Sequence, residues 1–265
     1  MTGANRAACL LLVIALQCGR AAAQTAAIEP DRPDLTNGPH LVTSGTVQFE
    51  LGGIFTHDTS GRHMAAAPVA VRIGVSKGFE ARFAVDNQFV AIGGETGIGM
   101  IQAGAKIRVW SDSHGEGLVS VLPAVLVPTS GGDPDVSIVV ATGVDLGPRA
   151  RVDVNYGATS LGPGEGRDTR LVQHLLSASA SVSMTGRWSG FFELYGTSRE
   201  RVDGAAAIAF DTGAQFLVAP HVVADVGVDF GVSADAPSFS VFAGLSFALR
   251  RQGRATSASR FRGRG

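Results

Sequence analysis

The stretch Pro220–Leu249, PHVVADVGVDFGVSADAPSFSVFAGLSFAL, decides the fold because its side chains alternate between apolar and polar in two consecutive runs. In the first run, Val222–Gly231, even positions are apolar and odd positions from Asp225 onward are Asp or Gly. The second run, Phe239–Leu249, has apolar residues at odd positions and mostly Ser or Gly at even ones. This period of two predicts strands with two different faces. Each run is about ten residues long, the length that a tilted strand needs to cross a bilayer.

The N-terminus has the three regions of a secretory signal peptide. Arg6 precedes the apolar run Ala7–Leu16, and Ala21–Ala23 supplies the small residues of a cleavage site. We therefore predict a signal peptide at 1–23. Both cysteines, Cys9 and Cys18, lie within it, so the mature chain would contain no disulfide and no cysteine metal site or nucleophile. Lipidation at Cys18 is the less favoured alternative, because the residues before it lack the usual leucine and small residue.

The rest of the chain continues the alternation and predicts an all-β fold. Residues 46–249 divide into about twelve alternating runs, and an even number is expected of a single-chain outer-membrane barrel. The connections alternate between tight turns and longer loops rich in Gly, Asp and Ser, with Ser111–Gly117 as an intermediate case. We predict a closed antiparallel up-and-down transmembrane β-barrel. Within it, Gly53–Pro68 is predicted to be a loop before the second strand, and Pro123 makes the fifth strand, Leu118–Val127, the weakest.

Two terminal segments lie outside the predicted barrel. Residues 24–45 contain Pro30, Pro33 and Pro39 without periodicity, which predicts an extended N-terminal lead-in. The charged motif Asp31-Arg32-Pro33-Asp34 within it fits either a plain periplasmic lead-in, which we favour, or a plug that enters the lumen. Residues 250–265 form a basic tail with six arginines, predicted to be disordered; contact with anionic lipid is the alternative.

Charged residues recur on the polar parity of the predicted strands. An Arg or Lys facing lipid near mid-bilayer costs about 2–4 kcal/mol, so we expect these side chains to face the lumen. There they would form ion pairs or line a permeation path, and their mixed signs argue against a strongly ion-selective pore. The predicted lumen-lining residues are Glu50, Arg72, Glu80, Arg82, Asp86, Lys106, Arg108, Arg151, Asp153, Glu193, Asp225 and Asp229.

The sequence contains no arrangement typical of an enzyme or of a cofactor site. Six histidines are scattered, and His174 and Ser177 have opposite parities on one predicted strand, so they would point to opposite faces. We interpret the histidines as surface residues; a metal-binding loop containing His57, Asp58 and His63 is the less favoured reading. GETGIG at 94–99 lacks a phosphate-binding lysine and leads into a strand, so it predicts a turn.

Three motifs resemble the outer-membrane β-barrel family named for transporters of the meta-pathway of phenol degradation. They are LVPTSG at 126–131, FGVSADAPSFSVFAGLSFAL at 230–249, and the opening motif, which comprises Asp31-Arg32-Pro33-Asp34-Leu35-Thr36 followed by Val42, Gly45, Gln48, Glu50 and Gly52. The resemblance spans the mature chain. It implies a bacterial outer-membrane location, contact with outer-membrane lipid, assembly by the barrel-assembly machinery and passage of small aromatic or apolar solutes. The basic tail after Phe247 departs from the family, whose barrels end near the last aromatic residue.

The residues therefore favour an outer-membrane β-barrel channel that passes small solutes. Two alternatives stay open at this stage. One is a barrel with a structural or surface-interaction role and a plugged lumen, and the other is a soluble exported β-protein, which would also show alternation but in shorter strands.

Overall fold

The structure, a computed structural model, describes residues 28–32, 34–58, 61, 63–90, 96–164 and 168–250. Side chains are described for these residues except at 86–90 and 96. The predicted signal peptide and nearly all of the basic tail lie outside the described residues. In the described part of the chain, regular structure is entirely β, and no helix is long and apolar enough to cross a membrane.

The described residues form thirteen β-strands in one antiparallel sheet that closes on itself. Each strand pairs with its neighbours in the chain, apart from the divided second position described below, so the topology is up-and-down. The strands are β1 Thr46–His57, β2 His63–Ala66, β3 Val69–Gly74, β4 Phe79–Val90, β5 Thr96–Ser111, β6 Gly117–Pro128, β7 Asp135–Asp145, β8 Ala150–Leu161, β9 Leu171–Ser183, β10 Trp188–Thr197, β11 Ala207–Ala219, β12 Val222–Gly231 and β13 Phe239–Arg250.

The barrel closes where the first strand meets the last. β1 and β13 pair without interruption from Thr46 opposite Arg250 to His57 opposite Phe239. Phe49 and Phe247, which face each other in this register, stack with ring centroids 5.1 Å apart. Closure therefore leaves neither β1 nor β13 with an unpaired edge. A sheet that spans a membrane must close in this way, because lipid cannot form hydrogen bonds with unpaired backbone groups.

The second position around the barrel is shared by two short strands. β2 and β3 both pair with β1 on one side and β4 on the other, so thirteen strands make a barrel of twelve positions. The break falls at Ala67-Pro68, where proline cannot donate a ladder hydrogen bond. The prediction of a loop over Gly53–Pro68 was therefore wrong, because β1 continues to His57 and β2 begins at His63.

Pro123 lies within β6 and interrupts the ladder only locally. β5 and β6 pair from Met100 to Gly104 and again from Ile107, and the gap between these segments lies opposite Leu122 and Pro123. A register shift near Trp110 accompanies the gap. The barrel thus absorbs the proline as an irregularity, and the weakest predicted strand is confirmed.

The two ends of the barrel differ in the length of their connections. At one end, here called the turn end, five connections of two to five residues join β3–β4, β5–β6, β7–β8, β9–β10 and β11–β12. At the other, the loop end, the connections are five to nine residues long. Short turns face the periplasm in bacterial outer-membrane barrels, which gives the turn end a periplasmic orientation.

The outer and inner faces have opposite chemistry. Large apolar side chains are exposed around the outside, among them Phe83, Leu176, Phe192, Val226 and Leu245. The largest fully buried side chains are instead mostly polar or charged and lie inside, including Arg72, Lys106, Gln48, Glu80 and Glu193. A soluble protein has the opposite arrangement, with apolar side chains inside and polar ones outside. Apolar side chains outside are expected where hydrocarbon surrounds the barrel wall, so the arrangement contradicts the soluble-protein alternative.

Candidate functional site

The described N-terminal residues, 28–32 and 34–44, are here called the lumen segment and run inside the barrel. Ile28 packs against Val223 and Ala248 at the turn end. The segment leaves at the same end, where Gly45 N donates to Gly74 O at 2.8 Å before β1 begins. The plain periplasmic lead-in that we favoured from the sequence is therefore wrong for this segment, because its residues contact inward-facing side chains of the wall; the structure has the alternative, a plug that enters the lumen.

Asp31 is the central contact between the lumen segment and the wall. Lys106 Nζ lies 2.9 and 2.8 Å from its two carboxylate oxygens, Arg72 Nη1 lies 3.3 Å from Oδ1, and Arg82 Nη1 donates to Oδ2. Burial alone would raise the pKa of Asp31, but the three cations together hold that pKa below its usual value. One carboxylate of the segment therefore joins cations from β3, β4 and β5.

These wall cations also have carboxylate partners on the wall. Arg72 makes a bidentate contact with Glu80, with Nε and Nη2 donating at 2.7 and 3.1 Å, and its Nη1 donates to Glu50 Oε1 at 2.9 Å. Glu80 also accepts the backbone N–H of Val42 at 2.7 Å. The network is buried, since Arg72, Glu80 and Lys106 are 0–1% exposed. Buried charges are tolerable only when paired in this way.

The opposite wall holds the segment through Glu193. Its carboxylate accepts the backbone N–H of Leu35 at 2.7 Å and the hydroxyl of Thr36. Thr36 Oγ1 also lies 2.7 Å from Ser177 Oγ. Burial raises the pKa of the neighbouring Asp34 well above its usual value, and the negative charge of Glu193 adds to that shift.

Arg32 fixes the segment near the closing seam. Its Nη2 contacts Asp225 Oδ1 at 3.1 Å, and its carbonyl accepts Gln215 Nε2 at 2.6 Å. The guanidinium lies in a notch formed by Gly52 and Gly244, which are paired across the seam; a Cβ on either would overlap it. The absence of side chains at this pair makes room for the arginine.

Three carboxyl groups, those of Glu193, Asp211 and Asp229, stand side by side on the adjacent strands β10, β11 and β12. The register places Glu193 opposite Asp211 and Asp211 opposite Asp229. Asp229 accepts the hydroxyl of Tyr195, whereas Asp211 Oδ1 and Asp229 Oδ1 are buried without a hydrogen-bond partner. Within the described residues no Lys or Arg forms an ion pair with this row.

The lumen segment leaves free space along one side of the barrel. A cavity of about 660 Å³ opens at the turn end between the segment and the wall from β7 to β12. Ser179, Ser181 and Ser183, which alternate along β9, contribute hydroxyls. Phe191 and Leu217 line the cavity as apolar residues.

The inward charges predicted from the sequence fall into three places around the lumen. Those at the Asp31 network are Glu50, Arg72, Glu80, Arg82 and Lys106. Arg108 contacts Pro39 O, while Arg151 pairs with Asp153 beside the cavity. Glu193, Asp225 and Asp229 lie on the opposite wall, and the Asp86 side chain lies outside the described part. That these residues line a permeation path stays a proposal.

Several lumen residues were not predicted. Gln48, Ser120, Asn155, Ser177 and Asp211 are all 3% exposed or less. Asp211 could have been predicted in the same way as the charged residues above, because it is the charged residue of its strand and lies in register with Glu193. The small polar residues carry no comparable signal, since Ser and Asn are equally common in turns.

The geometry is shared with known outer-membrane proteins. The family described as "Putative MetA-pathway of phenol degradation" matches residues 30–250. The chain belongs to this family. Its sequence finds no match among curated proteins.

Solved structures with the same fold are porins and channels. The COG4313 outer membrane channel from Pseudomonas putida F1 has a TM-score of 0.63 and 13% identity over 83% of this chain and 100% of that one. The NanC porin has a TM-score of 0.61 and 13% identity over 76% and 100%. The KdgM porin has a TM-score of 0.55 and 7% identity over 77% and 99%. The protein is an outer-membrane β-barrel, and the location predicted from the sequence is confirmed.

Proposed function

We propose that this family member is a channel for small solutes across the outer membrane, with the lumen segment as its constriction. The observation that carries the proposal is the cavity of about 660 Å³ beside the segment. The segment fills the side of the lumen that holds the Asp31 network, while free space remains along the wall from β7 to β12. A barrel interior with such space is suited to a narrow path rather than a wide pore.

The solute class in this proposal rests on the resemblance to the family. The family description names phenol degradation, and on that basis we propose small aromatic or apolar compounds as the solutes. The cavity supports small rather than large solutes, since pockets for small molecules span about 300–1,000 Å³. Its serine hydroxyls would suit a ring compound that also carries a polar group.

Flux through the purified protein tests the proposal. Liposomes containing folded protein should swell in a neutral pentose faster than protein-free liposomes, and planar bilayers should show discrete conductance steps. Absence of both swelling and conductance in protein with normal heat-modifiable gel mobility would rule out transport. The assembly machinery and lipid partners proposed for this barrel do not affect the assay, because the protein is refolded into defined membranes.

A crosslink tests whether the segment restricts the path. Thr36 Oγ1 and Ser177 Oγ are 2.7 Å apart, so the pair Thr36→Cys with Ser177→Cys places two sulfurs within bonding reach. Oxidation should lower the flux and a reducing agent should restore it. Each single variant serves as a control and should respond to neither reagent.

A second candidate is a structural barrel whose lumen is permanently plugged. The buried network of Asp31 with Lys106, Arg72 and Arg82 favours it, because such a network fixes the segment firmly. In that case neither the wild-type protein nor the reduced double variant would show flux. The two candidates are therefore separated by the same measurements.

A further inference from the structure

The cavity at the turn end has two chemically different sides. One side is apolar and contains Ile28, Val223 and Leu217, which pack together, with the 8%-exposed Phe191 nearby. The other side carries the serine hydroxyls of β9. Ser181 and Ser183 form no side-chain hydrogen bond to a described residue, so their hydroxyls are available to a ligand.

The charges around the cavity are distributed unevenly. Asp31 is held by three cations, and Asp145 and Asp153 share the single cation Arg151. Glu29 lies 3.2 Å from His40 Nδ1, but burial lowers the pKa of His40, so this contact leaves the charge of Glu29 in place. Asp34 is the remaining carboxylate, and burial raises its pKa well above the usual value. Neighbouring cations therefore balance part of the negative charge at the cavity.

Two guanidinium groups at the rim have no such partner. Arg149 and Arg187 lie in the tight turns after β7 and β9, and neither forms an ion pair with a described carboxylate. Gly147 takes a φ of 81° in the first of these turns, a conformation that glycine adopts readily. Both arginines are exposed, so they can turn toward a ligand without breaking an existing contact.

Building on the proposed channel function, we propose that this cavity is a binding site for small aromatic carboxylates. The ring would lie against Phe191 and Leu217, the carboxylate would face Arg149 and Arg187, and ring hydroxyls would meet the serines of β9. Planar guanidinium groups suit carboxylates because they can donate two parallel hydrogen bonds. An apolar surface with a few polar groups at its edge is the usual composition of a small-molecule site.

Binding to the folded, detergent-solubilised full chain tests this site separately from transport. Isothermal titration calorimetry would compare benzoate, benzyl alcohol and benzylammonium, which share the ring and differ in charge. Benzoate should bind at least tenfold more tightly than the other two. Equal affinities for all three, or no binding of benzoate at millimolar concentration, would overturn the proposal.

Variants that remove the charges of the two rim arginines test whether benzoate binds at this cavity. Arg149→Gln combined with Arg187→Gln should weaken benzoate binding at least fivefold and leave benzyl alcohol unchanged. The matched control, Arg201→Gln in the exposed connection between β10 and β11, should bind benzoate like the wild type. An equal loss in the control would show nonspecific attraction and contradict the site. Benzoate binding without any flux would leave the site intact and reject only the channel function.

Discussion

Lys106 Nζ lies within 2.9 Å of both carboxylate oxygens of Asp31, and this contact joins the N-terminal segment to a strand 75 residues away. Lys106 is 0% exposed and also donates to the carbonyls of Gly38 and His40 at 2.7 and 3.2 Å. One lysine thus binds three points of the segment. The ammonium acts as an anchor around which the segment folds back toward the turn end.

We predict that Asp31→Asn loosens the segment. The change removes one charge from a site with three cations, and breaking a buried ion pair costs about 3–5 kcal/mol. The docked segment should be displaced more often, so single-channel recordings should show larger and more variable conductance.

Asp203→Asn is the matched control for this change. Asp203 is an exposed residue in the connection between β10 and β11, and the substitution should leave the recordings unchanged. Unaltered conductance in folded Asp31→Asn protein would mean that the network does not hold the constriction.

The barrel itself could be predicted because its signal is local. Alternation along Val222–Gly231 or Phe79–Val90 reports which face each residue meets, and no distant partner is needed to read it. The inward position of Arg82 and Lys106 follows from the same parity, combined with the cost of a charge in hydrocarbon.

The position of the lumen segment could not be predicted in the same way. Residues 28–44 have no periodicity, and their contacts come from distant strands; Arg32 and Asp225 are 193 residues apart in the chain. Gly52 and Gly244 leave the space that Arg32 occupies, but the two glycines are 192 residues apart in the chain. Only the pairing of β1 with β13 shows that they are neighbours. The segment is thus specified by the closed barrel rather than by its own sequence.

We predict that Gly74→Ala destabilises the barrel. The carbonyl oxygens of Val42 and Thr43 occupy the position of the added methyl group, so the backbone must move where the segment leaves the lumen. Overpacking of this kind costs roughly 1–3 kcal/mol. The temperature at which the folded form converts to the slower gel band should fall.

Gly78→Ala is the control for this effect. Gly78 lies four residues away, its added methyl group would meet nothing within 4 Å, and its φ is not positive. Its conversion temperature should match that of the wild type. A similar decrease in both variants would indicate a general effect of replacing turn-end glycines.

The row of Glu193, Asp211 and Asp229 predicts a substitution that stabilises the protein. Buried carboxyl groups directly opposite each other on adjacent strands cannot all be ionised, so folding must either give Asp211 a proton or place its charge beside those of Glu193 and Asp229. Both are unfavourable near neutral pH, and Asp211→Asn avoids both while it supplies an amide that can donate to Glu193. Thermal unfolding followed by circular dichroism should shift to higher temperature.

Asp225→Asn provides the contrast, because Asp225 pairs with Arg32 at 3.1 Å and the loss of this ion pair should lower the unfolding temperature. Equal destabilisation by both substitutions would contradict the prediction and mean that the Asp211 carboxyl group stabilises the row more than an amide does.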